Sequence, residues 1–388
     1  MLRPSPELQK KLDIFETIDP TEIKAIKHEK RRMLARKLST KALTTLLVLG
    51  VPVSAYAQNV RQNQELQSES SISVVPYAGP LNKENDHNAI VFTDGFGTNN
   101  ADILTKYLGP SIQQVEDGQM WSVDQNNAIL SPEAIASQIL SLVDQRGITS
   151  LSLVGQSAGG SVTMEVQEDI RKQSSIPIRS IFFAATPDGL DGLQPEQQKN
   201  IGLIKLISKF PGAAYSDPLR SIGELLLRSD AYTSGSLPEN IGNFFSTVDN
   251  VNTALKDNTL PGSWLMIDQA LAIENADITG RNQTIGKLPA DQLKPTEVYI
   301  GMLSDPIVNE KKSSLRIGAS ADAAHIPYFY YQIHDGIHGQ PQFSVESYKK
   351  VLAGAKDEIQ ASIQTQLSIA SLHRVTSYMP HPIESPKQ

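Results

Sequence analysis

The sequence predicts an α/β fold: a mostly parallel central sheet flanked by helices, with a helical insertion after the strand at 178–185. Three observations carry this. Short apolar runs alternate with helix-patterned stretches from residue 88 onward, the alternation stops at Thr186 for about a hundred residues, and it resumes at 297. Strands separated by helices need crossover connections, and these produce a parallel sheet covered on both faces. With 39% hydrophobic and 20% charged residues, the 388-residue composition is that of a globular protein. The chain has no Cys, which excludes a thiol nucleophile, disulfides and Cys-ligated metal sites.

The elements follow in order. AIVFT at 89–93 reads as a strand, followed by a Gly-containing turn and a helix near 102–108. Ser131 and Pro132 form an N-cap and first-turn pair for a helix with Ile135, Ile139 and Leu142 on its apolar face. ITSLSLV at 148–154, a helix from Ala158 to about Lys172, and IRSIFFAA at 178–185 come next. Residues 189–292 show helical periodicity only. EVYIGM at 297–302 and PYFYYQI at 327–333 restore the strand pattern, and a long helix is expected from about 344 to 372.

The amino-terminal stretch has a different character. Residues 1–57 hold 11 Lys/Arg against 6 Asp/Glu, so the remaining chain carries 24 basic and 36 acidic groups. Such an acidic body repels phosphate backbones, and no nucleic-acid partner is expected. Within 42–57 there is no charge; the apolar part, 43–53, has the length of a secretory h-region and is short for a membrane span. Pro52 breaks it, and Ala55 and Ala57 supply an A-x-A cleavage site that leaves Gln58 as the new terminus. Forty-one residues before an h-region are too many, and Met33 offers an alternative start of ordinary proportions. The other reading is an uncleaved single-pass anchor through 42–57. Both place the rest of the chain outside the cytoplasm. The expected plan is 1–57 signal or anchor, 58–87 polar linker, 88–188 with 293–374 core, 189–292 insertion and 375–388 flexible tail.

The most informative string is LSLVGQSAGGSV, with G-x-S-x-G at Gly155, Ser157 and Gly159. It follows an apolar strand and opens a helix, the setting in which a serine on a strained turn projects its hydroxyl above a sheet. The helix amino terminus directs free N–H groups and a positive dipole end at a developing oxyanion. A hydroxyl nucleophile needs a base, and the base needs an orienting acid. Of seven histidines, His334 and His338 stand at the carboxyl end of the last strand, where ligand chemistry gathers in a parallel sheet. His338, in a Gly-flanked loop, is the preferred base and His334 the alternative. Asp305, just beyond a strand in SDPIV, is the expected acid, with Asp188 of TPDG as runner-up. The turn TDGFG after the first strand offers the Phe96 amide as a second oxyanion donor beside that of Ala158.

Together GQSAGG, SDPIV, GIHG and DGFG resemble the α/β-hydrolase superfamily over about residues 88–372, with the helical insertion in the position of its cap. The resemblance implies acyl transfer through Ser157, His338 and Asp305, with an ester, small or lipid, as substrate and neither metal nor organic cofactor. Asp94 departs from the family pattern, which often has His at this position, and the triple-Gly oxyanion loop of carboxylesterases is missing. A carboxylate there opposes an oxyanion unless turned away. It therefore keeps open a noncatalytic hydrolase-like binding protein of the envelope, and the same fold also serves acyltransferases and amidases. Phe244, Phe245, Trp264 and Leu265 supply apolar surface for an acyl pocket or for the cap's own core.

Overall fold

The computed structural model describes residues 53–217 and 261–377 continuously, and between them positions 220, 221, 243, 246, 247, 249, 250 and 253. The chain divides into two compact units, Met1–Tyr56 with Ser221–Val251 and Ala57–Arg220 with Asn252–Gln388. In the first, Thr247 Oγ1 donates to Asn243 O one helical turn back, at 2.7 Å. Everything that follows concerns the second.

Its centre is a seven-stranded sheet: β1 (Ser73–Ala78), β2 (Asn88–Thr93), β3 (Gln119–Asp124), β4 (Ser150–Gln156), β5 (Ile178–Ala184), β6 (Thr296–Met302) and β7 (Tyr328–Ile333). The order across the sheet is β1-β3-β2-β4-β5-β6-β7. All pairs are parallel except β1 with β3. Alternate residues of the central strands enter two separate cores, as the two-residue side-chain period requires. Val91, Leu153, Ile181, Phe183 and Tyr299 face one layer. Phe92, Val154, Phe182, Ala184, Val298 and Ile300 face the other. This double burial is why the strands read as continuous apolar runs.

The helices are α1 (Val53–Glu69), α2 (Asp102–Tyr107), α3 (Gly109–Val115), α4 (Pro132–Arg146), α5 (Ala158–Gln173), α6 (Pro195–Ser208), α7 (Ser263–Glu274), α8 (Ile278–Gly286), α9 (Glu310–Ala323) and α10 (Val345–Ser377). Helix α4 begins as expected: Ser131 Oγ accepts the Ala134 N–H at 3.1 Å, Pro132 opens the first turn, and Gly147 closes the helix at φ +63°. Helices α4, α5, α8 and α9 supply the first core and α2, α3 and α10 the second.

Three expectations need correction. Residues 58–87 are not a linker: they contain the end of α1 and strand β1, so the sheet starts at Ser73 rather than at 88. Strand β1 lies at the sheet edge and exposes half of its residues, and Pro76 is tolerated there because one side of an edge strand has no ladder to complete. Residues 59 and 63 also belong to the folded body, since Asn59 Nδ2 and Asn63 Nδ2 donate to the Asp217 carboxylate at 2.7 and 2.9 Å. Strand β3, unassigned from the sequence, carries only MWSV as its distinguishing run, although five of its six residues are buried. Finally, the insertion ends earlier than 292, because Ile278 and Ile285 of α8 join the sheet core alongside Ile317 and Ala321 of α9. Helix α10 reaches Ser377, past the expected boundary at 374. The apolar run 42–52, Phe244, Phe245 and the tail from 378 lie outside the described residues, among which no helix is long and apolar enough to cross a membrane.

One buried group sets a pH dependence of stability. Glu297, in β6, is fully buried; Asn282 Nδ2 donates to its Oε2 at 3.1 Å. Burial pushes its carboxyl up from 4.5 to about 8, against the pull of that hydrogen bond. A carboxyl raised on folding gives stability that is fully present below its unfolded value and lost as pH rises to the folded one. Glu297→Gln is therefore expected to remove roughly 4 kcal/mol of the decline in unfolding free energy between pH 4.5 and 8. Urea unfolding of both proteins at the two pH values measures this; parallel declines would disprove it.

Candidate active site

Ser157 stands on the turn between β4 and α5 with φ 53° and ψ −127°, a conformation costly for any residue with a side chain. The surrounding structure holds it there. Its N–H donates to Ala184 O at 2.9 Å, and its carbonyl accepts from Gly160 N at 3.1 Å. The glycines around it are required by close packing, against backbone at Gly155 and Gly159 and against a side chain at Gly160. A Cβ on Gly155 would collide with Gly160, one on Gly159 with the Thr93 and Asp94 carbonyls, and one on Gly160 with Thr186. Gly95 is equally constrained, since its Cβ would lie 2.8 Å from both Gln156 O and Ser157 Cβ. The turn after β2 is thus pressed against the serine.

Ser157 Oγ lies 2.9 Å from His338 Nε2, and His338 Nδ1 lies 2.8 Å from Asp305 Oδ2. The other Asp305 oxygen accepts from Ile307 N at 2.8 Å and from Val308 N at 2.9 Å. The Asp305 carboxylate is completely shielded and the His338 side chain 9% exposed, so this pair is nearly closed to water. The acid loop is braced by the segment leaving β5. Gln194 Nε2 donates to the carbonyls of Asp305 and Val308 at 3.0 and 3.2 Å, and Leu193 pairs with Val308.

The alternatives lie elsewhere. Asp188 is buried but pairs with Arg316 Nε at 3.1 Å and accepts from Thr279 Oγ1 at 3.2 Å, tying α8 to α9. His334 is exposed at the end of β7 and joins none of the hydrogen bonds of the site. The Phe96 and Ala158 amides, expected as oxyanion donors, donate to no described residue. Trp264 and Leu265 are buried, and Trp264 packs its ring 5.9 Å from that of Tyr215 while its Nε1 donates to Asn127 O, tying the cap to the loop after β3. A groove of about 840 Å³ beside the acid loop is lined by Leu303, Leu315, Tyr328 and Tyr330, not by Ser157 or His338.

Asp94 is 7% exposed, and its Oδ1 accepts from Gly95 N at 2.7 Å. Burial raises its carboxyl from 3.8 to about 7, opposed by that amide and by the nearby His338. Its titration is therefore moved toward neutrality, which the sequence did not reveal. Two glutamines were also missed. Gln194 braces the acid loop, and Gln269 of α7 bonds the turn after β2. The sequence signal for Gln269 was its place in the stripe Leu265–Gln269–Ile273, a polar residue where helical spacing demands an apolar one.

Strand order, antiparallel edge strand, elbow and the chain order Ser157, Asp305, His338 define the α/β-hydrolase fold. No protein-family model matches the chain, and no curated protein does. Solved structures similar to it include a lipase-esterase related protein from Clostridium acetobutylicum ATCC 824, with TM-score 0.44, 14% identity, and coverage of 74% of this chain and 99% of that one. Homoserine O-acetyltransferase from Bacillus anthracis has TM-score 0.47 and 12% identity, covering 72% and 91%. Paleococcus ferrophilus monoacylglycerol lipase has TM-score 0.42 and 12% identity, covering 76% and 99%.

Proposed function

We propose that the protein is an extracytoplasmic serine hydrolase that cleaves a carboxylic ester through an acyl-enzyme. The observation that carries this is the unbroken line of hydrogen bonds from Ser157 through His338 to Asp305 on a strained elbow. His338 Nε2 takes the Ser157 proton as Oγ attacks the ester carbonyl, and the amides of Phe96 and Ala158 receive the oxyanion. The imidazolium then protonates the departing alcohol. Water, deprotonated by the same nitrogen, releases the acid and restores the serine. The substrate is a small-molecule or lipid ester.

Labelling of the folded protein with a fluorophosphonate, followed by peptide mass analysis, tests the reading. Modification at Ser157 supports it. No modification would leave a noncatalytic binding protein, and modification without hydrolysis of short or long esters would point to transfer of the acyl group to an alcohol. Cleavage after Ala57 would keep Asn59 and Asn63, with their bonds to Asp217, in the mature chain. The terminal sequence of exported protein checks that site, and an intact terminus in the membrane fraction would favour the anchor.

Asp94 adds a pH signature. It is neutral below about 7 and negative above, where its charge opposes an oxyanion forming beside Gly95. The ratio of kcat/KM for Asp94→Asn to that of the unaltered protein is expected to rise several-fold between pH 6 and 8. A pH-independent ratio would show that Asp94 is turned away from the reaction.

A further inference from the structure

The amide of Phe96 sits between two glycines, Gly95 and Gly97, and Gly97 adopts φ +85°. Backbone sterics alone do not fix the direction of an N–H in such a turn. Partners must fix it: Thr98 and Asp94 hold Gly95 from within the turn, and one side chain of the cap holds the two residues after Phe96. Gln269, in the middle of α7 and 2% exposed, accepts the Gly97 N–H through Oε1 at 2.8 Å. Through Nε2 it donates to Thr98 O at 2.8 Å and to Gln125 Oε1 at 2.8 Å. Gln125 is itself 2% exposed, and its backbone N–H donates to Asn99 O at 2.8 Å. Thr98 Oγ1 closes the turn by donating to Gly95 O at 2.8 Å. One cap glutamine thus grips two consecutive residues immediately after the proposed oxyanion donor and ties them to the end of β3.

Resting on the hydrolase reading above, we propose that Gln269 is the positioning residue of the oxyanion turn, so that the cap helix α7 sets the catalytic geometry rather than only covering the site. The side chain touches no reacting atom. It acts by holding the Phe96 amide where the tetrahedral oxyanion develops, an interaction formed only in the transition state. Loss of the grip lowers kcat and leaves ground-state ester binding alone. Gln269 is also distinct from its helix neighbour Asp268, whose Oδ2 accepts from Leu130 N at 3.2 Å and does not reach the turn.

The experiment compares Gln269→Met, which keeps the volume and removes the polar atoms, with Asp268→Ala, which loosens the same helix elsewhere. Gln269→Glu is the near-isosteric second variant. It keeps an acceptor for Gly97 and loses both donated bonds. The expected result for Gln269→Met is a fall in kcat of about 10- to 100-fold with KM within about twofold. Affinity for a trifluoromethyl ketone, whose serine adduct carries an oxyanion, falls by a similar factor. Gln269→Glu loses about 10-fold, and Asp268→Ala keeps kcat whatever its melting temperature. Unaltered kcat in both Gln269 variants would overturn the proposal, as would an equal kcat loss in Asp268→Ala. Fluorophosphonate labelling of the unaltered protein separates the two levels: labelling with unaffected Gln269 variants removes only this inference, whereas absence of labelling removes the hydrolase reading beneath it.

Discussion

His338→Ala is expected to lower kcat/KM for an ester by about 10⁶-fold, and Ser157→Ala by a similar factor. The two side chains face each other across 2.9 Å, and neither has a replacement nearby, since His334 is exposed at the end of β7. Without His338 the Ser157 hydroxyl has no acceptor for its proton; without Ser157 the imidazole has nothing to activate. Because the pair acts as a unit, the double variant is expected to be no slower than either single one, at a residual rate owed to the oxyanion donors and substrate binding. Steady-state kinetics on the three variants, with melting curves to show that they fold, measure this. Losses that multiply in the double variant would mean that the two groups act independently. Activity retained in His338→Ala and lost in His334→Ala would exchange the base assignment.

Asp305→Asn is expected to cost about 10⁴-fold in kcat while leaving the fold intact. The reason lies in how the carboxylate is held. One oxygen accepts the N–H groups of Ile307 and Val308, so an amide placed there must offer them its carbonyl oxygen. The amide NH₂ then faces His338 Nδ1, which turns from donor to acceptor. That moves the ring proton to Nε2, facing Ser157, and the base loses its lone pair toward the nucleophile. Nitrogen NMR of the His338 ring reports the tautomer directly. Asp188→Asn is the matched control. It weakens the contact with Arg316 between α8 and α9 and is expected to lower the melting temperature with kcat unchanged. The reverse pattern would return Asp188 to the site.

These outcomes follow from features that differ in how openly the sequence carries them. The elbow is local in sequence: strand, three glycines, serine and helix lie within one contiguous stretch, although only Gly155 is required by a contact inside it, Gly159 meeting the Thr93 and Asp94 carbonyls and Gly160 the Thr186 side chain. Asp305 and His338 were legible because both follow strands, and the carboxyl ends of parallel strands converge. Strand β1 was not, because its edge position leaves Val74 as its only buried residue and tolerates Pro76. Strand β3 is buried, but Gln119, Ser122 and Asp124 break its apolar run. Ser122 Oγ donates to Asp102 at 2.8 Å, a contact no local pattern reveals. Gln269 meets partners 172, 171 and 144 residues away, two of them backbone atoms that have no residue signature. The titration of Asp94 was hidden for a similar reason, since only burial among distant neighbours raises it.

Gln194 supports the acid loop from the start of the insertion, and Gln269 supports the oxyanion turn from near its end. The insertion is consequently not an interchangeable module. A chimera that grafts a foreign lid between β5 and β6 would remove polar partners from the acid loop and the turn after β2 at once, and the empty positions would have to be refilled by the incoming segment. Gln194 and Gln269 therefore mark contacts that a transplanted segment would have to bring with it.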